Sequence, residues 1–239
     1  MNTIKIDMKF NHFIAHRGLS GIETENSRLS FTAAGNRSYY GMECDIQRTL
    51  DGKIVVSHDD SLTRLGYLNI YIPYYTFEEL QDFPLLDKKT GLLSPYVTII
   101  EFSEYLTICK TYGKKPIVEL KKSIKVEDLK TVIETCKKVD MLKEITFISF
   151  EVDLLVALRK LLPKTEMYLL TDRFNDKVFE LCVKNKFGID IYYEKVTEDL
   201  IKKYHLIGQK VNCFTVNSKE EAERLIKLGV DYITTDILE

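Results

Sequence analysis

From Pro116 onward the chain alternates short apolar runs with longer amphipathic ones, and that alternation leaves few folds open to it. Strand-like runs at 116–121, 145–149, 166–170, 188–193, 211–216 and 230–235 are separated by helix-like stretches at 126–139, 151–162, 174–186, 196–205 and 218–228. Strands that alternate with helices of this length run parallel, because each helix carries the chain back to the same end of the sheet. Upstream, Phe13-Ile14-Ala15 and the run from Met42 read as two more parallel strands. Ser27 is placed to cap a helix through about Gly35, and another helix is expected from Ile99 to Tyr112. Eight parallel strands with helices between them describe an α/β fold of the (β/α)8 TIM barrel type. No G-x-G-x-x-G follows the first strand, which removes the main argument for a dinucleotide-binding open sheet. The 239 residues, 45% of them hydrophobic, suit one such barrel, so a single domain over 1–239 is expected. Residues 60–97 lack periodicity and hold three of the five prolines, and they read as an insertion of about 59–98 after strand two. The helix after the eighth strand is missing or a stub, and Met1 to Phe10 is the candidate to cover the wall there.

Between the second strand and the insertion, Leu50-Asp51-Gly52-Lys53 marks a tight hairpin. Asp-Gly suits a type I′ turn, whose two central residues both need positive φ. Lys53 to Ser57 is then antiparallel to its predecessor, one extra strand beside the eight. Centring the turn on Asp51-Gly52 pairs positions whose numbers sum to about 103, which sets His58 opposite Asp45 to within one residue of register. Alternation points Glu43 and Asp45 the same way and turns Cys44 to the other face, where it packs.

Catalytic groups in a barrel sit at the C-terminal ends of its strands. Sorting these ends gives His16 and Arg17 on strand one, Glu43 and Asp45 on strand two, and Glu119 and Lys121 on strand three, with His58 from the hairpin. Three carboxylates in a partly dry pocket repel one another unless a cation intervenes. Oxygen-only ligands suit one hard divalent ion, Mg²⁺ or Ca²⁺, rather than zinc. Arg17 and Lys121 remain to hold an anion, and the two histidines make a general acid–base pair. That set suits a phosphodiester hydrolase. His12 and His205 read as structural or exposed, and tyrosines 67, 71, 74 and 75 either line a substrate entrance or pack the insertion.

Charge and cysteines narrow the setting. A formal net charge of −2, from 34 basic and 36 acidic residues, gives no electrostatic reason to expect nucleic acid as a partner. Five dispersed cysteines without a C-x-x-C suit free thiols in a reducing compartment. No 18-residue apolar span and no signal-like apolar stretch occurs, so stable membrane insertion is not expected and a cytoplasmic protein is.

At this point the residues resemble the glycerophosphodiester phosphodiesterases. The match runs through His16-Arg17-Gly18, Glu25-Asn26, Glu43-Cys44-Asp45-Ile46-Gln47, Asp51-Gly52 and His58-Asp59. It continues with Val118-Glu119-Leu120-Lys121, Ser149-Phe150, Phe214-Thr215-Val216-Asn217 and the stretch from Gly229 to Asp236. The resemblance implies a barrel carrying a small insertion and metal-dependent hydrolysis of small glycerophosphodiesters to sn-glycerol 3-phosphate and an alcohol. By position it implies His16 and His58 as the acid–base pair, Glu43, Asp45 and Glu119 as metal ligands, and Arg17 and Lys121 as phosphate-holding bases. Two departures stand out: Thr24 where the family usually has proline, and Phe214 where it usually has tryptophan. Two other readings compete, a lysophospholipase D-like enzyme on lipid substrates and a non-catalytic phosphodiester-binding barrel. Binding alone does not need both histidines and all three carboxylates.

Overall fold

The computed structural model describes residues 2–239. The chain opens with β1 (Phe13–Ala15), α1 (Arg28–Gly35) and β2 (Gly41–Arg48). Hairpin strand β3 (Ile54–Val56), the one-turn helix α2 (Phe77–Leu80) and the two-residue strand β4 (Ile100–Glu101) follow. Then come α3 (Phe102–Tyr112), β5 (Lys115–Leu120), α4 (Leu129–Lys138), β6 (Thr146–Ser149), α5 (Val152–Leu161) and β7 (Glu166–Thr171). The chain ends with α6 (Asp176–Asn185), β8 (Gly188–Tyr192), α7 (Glu198–Leu206), β9 (Val211–Phe214), α8 (Lys219–Leu228) and β10 (Tyr232–Thr235).

The sheet order is β1-β10-β9-β8-β7-β6-β5-β2-β3-β4, and an additional β1–β2 pairing closes eight parallel strands into a barrel. The main core lies where strand side chains such as Cys44, Val118, Phe147 and Ile189 meet the helices. A smaller cluster that includes Ile14, Ile117, Ile148 and Tyr168 fills the barrel interior. Ser27 caps α1 as expected, accepting from the Ser30 N–H. Beyond β10, residues 4–6 run beside residues 237–239: the Ile4 N–H donates to Ile237 O (3.0 Å) and the Glu239 N–H to Ile4 O (2.8 Å). Ile6 and Phe10 rest on the main core, which is the cover expected of this segment; Met1, part of that expectation, lies outside the described residues.

The hairpin falls within one residue of the expected register and differs from expectation in its turn. Ile46 faces Val56 and Arg48 faces Ile54, so paired positions sum to 102. Ser57, not His58, therefore meets Asp45, its N–H donating to Asp45 O at 3.0 Å. The cause lies in the loop. The Thr49 N–H donates to Lys53 O (3.0 Å) and Thr49 Oγ1 accepts from the Lys53 N–H (2.9 Å), which closes a three-residue loop around Leu50-Asp51-Gly52. Only Gly52 takes positive φ (77°), as in the loop type that pairs a turn with one left-handed residue. Asp51 accepts from Thr49 Oγ1 (2.5 Å) and from the Phe77 N–H (3.2 Å).

A second extra strand also went unforeseen. Ile100 pairs with Val56 and Glu101 with Val55, so the helix expected from Ile99 begins only at Phe102. The insertion has its own small core, in which Leu62, Ile72, Leu80, Leu85 and Val97 pack with Val55 of β3. Tyr67 and Tyr75 meet Phe83 edge-on, at 5.2 and 5.6 Å between ring centres, while Tyr71 and Tyr74 are exposed. Two of the four tyrosines are thus packing residues.

Two glycines separate backbone strain from packing. Gly18 (φ 73°) and Gly52 both occupy the left-handed region, where a side chain costs about 1–2 kcal/mol. A Cβ at Gly52 would meet only the Arg48 guanidinium, at 3.4 Å, whereas one at Gly18 would lie 2.6 Å from Ser30 C and 2.8 Å from Phe31 N. In urea denaturation Gly52→Ala should cost only the backbone term, and Gly18→Ala should exceed it by about 1–3 kcal/mol of overpacking. Equal costs would show that α1 gives way freely.

Candidate active site

Parallel register builds the centre of the site. Asp45 of β2 lies beside Glu119 of β5, and Glu43 shares the face of Asp45. One carboxylate oxygen from each of Glu43, Asp45 and Glu119 falls within 4.8 Å of the others. Glu43 and Asp45 are 2% and 1% exposed.

The loop after β1 supplies the donors that make such burial tolerable. Arg17 (φ 53°) and Asn26 (φ 54°) are both left-handed without being glycine. That backbone turns the Arg17 N–H onto Glu43 Oε2 (2.9 Å), while Asn26 Nδ2 donates to Asp45 Oδ2 (2.8 Å). Left-handed backbone at such residues stores strain, which surrounding contacts must over-determine. Lys121 Nζ reaches Glu119 Oε1 at 2.8 Å and Asp45 Oδ1 at 3.2 Å. Arg17 Nε lies 3.4 Å from Asp45 Oδ2, and Nη1 donates to Glu25 Oε1 at 2.9 Å. Arg17 Nε is buried facing Asp45 without a hydrogen-bond partner among the described residues.

These charges pull the carboxyls apart. Burial, then the nearby Asp45 and Glu119, pushes Glu43 well above its usual range. Burial and Asp45 push Glu119 up to about 8. Burial would raise Asp45 as well, but Lys121 and Arg17 outweigh it and hold that carboxyl far below its usual value. The group has two acids that resist ionising beside one that does not. With three carboxylates and neither nitrogen nor sulfur in the set, the residues fit a hard divalent cation, whose charge would relieve this repulsion.

Both expected histidines face the same cavity, of about 250 Å³, together with Arg17, Glu43, Glu119 and Lys121. His16 Nδ1 lies 2.7 Å from Asp236 Oδ1, and His58 Nδ1 lies 2.7 Å from Asp59 Oδ1. A carboxylate at Nδ1 accepts a hydrogen bond from that nitrogen, which holds the ring proton there and leaves Nε2 as the reacting atom. Burial, with Arg17 and Lys121 adding to it and Asp45 opposing, pushes His58 below its usual value. Asp236 is steadied by Ser20 Oγ (2.8 Å) and Asn217 Nδ2 (2.7 Å). Across the cavity Phe150 and Phe214 meet edge-on at 6.2 Å. A larger cleft of about 630 Å³ adjoins through Lys121 and runs towards Pro73 of the insertion.

All seven residues expected from the sequence thus come together, and His12 and His205 stay away. They contact Asp231, His12 through its backbone oxygen (3.0 Å) and His205 through Oδ2 (2.8 Å). The sequence reading missed the partners: Asp236 and Asp59 behind the histidines, Asn26 on Asp45, and Glu25 and Arg64 beyond Arg17. Asp59 and Asp236 stood inside the quoted motifs, where a carboxylate beside a histidine or at a strand end was the available signal. Arg64 carried none.

A parallel barrel whose mouth joins paired imidazoles to an acidic triad is of the class of hydrolases that cleave phosphoric diesters. The comparisons agree and narrow this. The family model for the glycerophosphoryl diester phosphodiesterase family matches residues 16–239. A glycerophosphodiester phosphodiesterase of Bacillus altitudinis is 31% identical over 234 residues, 93% of each chain. A phosphodiesterase of Oleispira antarctica, solved with its product sn-glycerol-3-phosphate, superposes with a TM-score of 0.86 at 25% identity, covering 94% of this chain and 92% of that one. The glycerophosphodiester phosphodiesterase of Thermotoga maritima gives 0.78 at 25% identity, with 96% of each covered. The chain belongs to the glycerophosphoryl diester phosphodiesterase family and is an enzyme of that kind.

The carboxyl shifts generate a prediction about cations. Glu43 and Glu119 bind protons more tightly in the folded chain than in the unfolded one, so stability without a cation falls as pH rises from the ordinary carboxylate range towards 8. A cation must displace those protons. Its stabilising effect in thermal melts should therefore be larger near pH 8 than near about pH 5.5. Calorimetric titration in buffers of different ionisation enthalpy should show proton release. Glu119→Gln should keep the fold and lose most of the cation's effect. A cation effect that grows as pH falls would place binding elsewhere.

Proposed function

We propose that the chain hydrolyses small glycerophosphodiesters to sn-glycerol 3-phosphate and an alcohol, with one divalent cation, Mg²⁺ or Ca²⁺, held by Glu43, Asp45 and Glu119. The observation that carries this reading is the pair of imidazoles, each held at Nδ1 by its own carboxylate at 2.7 Å, facing one cavity with the acidic triad. The bound product of the Oleispira antarctica relative supports the same product here. When bound, the cation supplies charge neutralisation for the phosphate oxygens. Arg17 and Lys121 are the groups to hold the phosphate, Arg17 through its guanidinium and Lys121 as a point charge. Residues 1–239 act as one catalytic unit with the insertion built into it. Among the described residues no helix is long and apolar enough to cross a membrane. All five cysteines are buried and free, which suits the cytoplasmic setting we favour.

His16 and His58 divide the proton transfers. The substrate's vicinal hydroxyl is tethered close to phosphorus, so its attack exploits intramolecular effective molarity. One histidine accepts that hydroxyl's proton as the new P–O bond forms. The other protonates the departing alcohol oxygen as the old P–O bond breaks, leaving a five-membered cyclic phosphate. Water then opens the ring with the two roles exchanged.

Turnover of glycerophosphocholine, followed by release of glycerol 3-phosphate, should vanish in excess chelator and return on adding Mg²⁺ or Ca²⁺. Full activity with metal absence confirmed by elemental analysis would overturn the cation's part. A lysophospholipid run alongside tests the lipid alternative, which predicts the faster turnover there.

A diester lacking the vicinal hydroxyl should lose more than about a hundredfold in rate, in the range of general acid–base effects. Comparable turnover of both diesters, with no cyclic phosphate visible by phosphorus NMR, would show that water attacks directly.

A further inference from the structure

We infer that Arg64, contributed by the insertion, is a positioning residue that fixes His58 and Arg17 together through two shared carboxylates; the inference rests on the acid–base reading of His58 given above. Arg64 Nε donates to Asp59 Oδ2 at 2.5 Å, and the other oxygen of Asp59 takes His58 Nδ1 at 2.7 Å. At its other end Arg64 forks onto Glu25, Nη1 to Oε2 and Nη2 to Oε1, both at 3.0 Å. Glu25 Oε1 also accepts from Arg17 Nη1 at 2.9 Å. The contacts form one unbroken series, His58–Asp59–Arg64–Glu25–Arg17. It joins the group that moves a proton to the group that holds the phosphate.

Each link does something a neutral spacer would not. Asp59 orients the imidazole only while its own position is fixed, and Arg64 is its charge-assisted anchor. Arg64 Nη2 also approaches His58 Nδ1 to 3.5 Å, a nitrogen whose hydrogen bond already goes to Asp59, so this contact is one of charge rather than a hydrogen bond. Asp45, Arg17 and Lys121 are the other charges acting on His58. Arg64 is half exposed, and it bridges two carboxylates with all three of its nitrogens, a geometry an ammonium cannot copy. His16 is held differently, because Asp236 is anchored by neutral donors from Ser20 and Asn217. The His58 side takes its charged anchor from the insertion, whereas the insertion reaches the His16 side through Lys88 on the backbone oxygen of Ser20.

The surroundings keep Arg64 where it stands. It sits in a 3₁₀ turn, Thr63–Leu65, that ends at Gly66, and Leu65 O accepts from the Leu86 N–H at 3.0 Å. Leu86 O in turn accepts from Thr24 Oγ1 (2.8 Å), and Thr24 Oγ1 accepts from the Lys88 N–H (2.9 Å). The insertion is thus fastened to the loop that carries Arg17, Glu25 and Asn26.

Arg64→Gln and Arg64→Lys are compared with the wild-type holoenzyme on glycerophosphocholine, and the His58 Nδ1 proton is followed by NMR, assigned by its loss in His58→Asn. Arg64→Gln should lower kcat by about tenfold or more, as displaced catalytic groups do, with an unchanged melting midpoint. Arg64→Lys should not rescue it, whereas free guanidinium should restore part of the rate in Arg64→Ala. In an Asp59→Asn background Arg64→Gln should cost less kcat than it does in the wild type, because the part of its effect that passes through that carboxylate is already lost. The Nδ1 proton should shift or broaden in Arg64→Gln. A kcat within about twofold of wild type, or full additivity with Asp59→Asn, would overturn the inference. If the wild type fails to turn over the diester, the functional reading falls, and the Nδ1 resonance alone decides the positioning: unchanged in Arg64→Gln, it overturns the role.

Discussion

Three carboxylates in the dry mouth of a barrel repel one another, and much of the molecule near β1, β2 and β5 is arranged to contain that repulsion. Parallel register forces the encounter, since Asp45 and Glu119 are lateral neighbours and Glu43 shares their face. Containment comes from Lys121, just past the end of β5, and from a loop that bends through two left-handed residues to aim an amide and a carboxamide at the acids. Even so, Glu43 and Glu119 remain displaced towards their neutral forms. Such a centre is unbalanced by construction, and a positive guest is what balances it.

The loop between β1 and α1 therefore carries more than connectivity. Ser27 caps α1 and also donates to Thr24 O at 2.5 Å, so the start of the helix and the end of the loop are one hydrogen-bonded unit. Thr24, standing where the family usually has proline, uses its hydroxyl to meet Leu86 O and the Lys88 N–H. A ring would stiffen the loop on its own, whereas the hydroxyl stiffens it by tying it to the insertion. Phe214, in place of the usual tryptophan, keeps an aromatic wall opposite the charges through its contact with Phe150.

Most of this was legible where a period or a pairing rule governs the residues. Alternation of strand and helix predicts the closed barrel, and side-chain alternation along β2 and β5 predicts the acidic triad. The misses are of another kind. The hairpin's turn was read as a two-residue type because Thr49, an ordinary strand residue to any pattern, uses its hydroxyl to close a wider loop. His58 still reached the site, because it lies past the end of β3, where register no longer dictates direction. β4 was hidden because two residues have no period, and Ile99-Ile100-Glu101 ahead of α3 reads as its first turn. Arg64 was invisible because its partners, Asp59 and Glu25, are brought to it by 3₁₀ turns and loop contacts that leave no repeat in the sequence.

The pairing of β3 with β4 has a consequence for how such enzymes diversify. The excursion leaves the barrel along β3 and returns along β4, two adjacent antiparallel strands, with a small core enclosed between them. A segment whose two ends meet behaves as a cassette, because its length and contents can be exchanged without disturbing the register of the eight strands. Exchange is not free near its start, since the first turn after Asp59 reaches back through Arg64 to Glu25 of the loop after β1. The cassette is thus divided into a portion bound to the chemistry and a distal portion, around Tyr71, Tyr74 and Leu92, that is exposed and open to drift. A change of length in the distal part leaves the contacts around His58 in place, whereas a change in the first few residues breaks them.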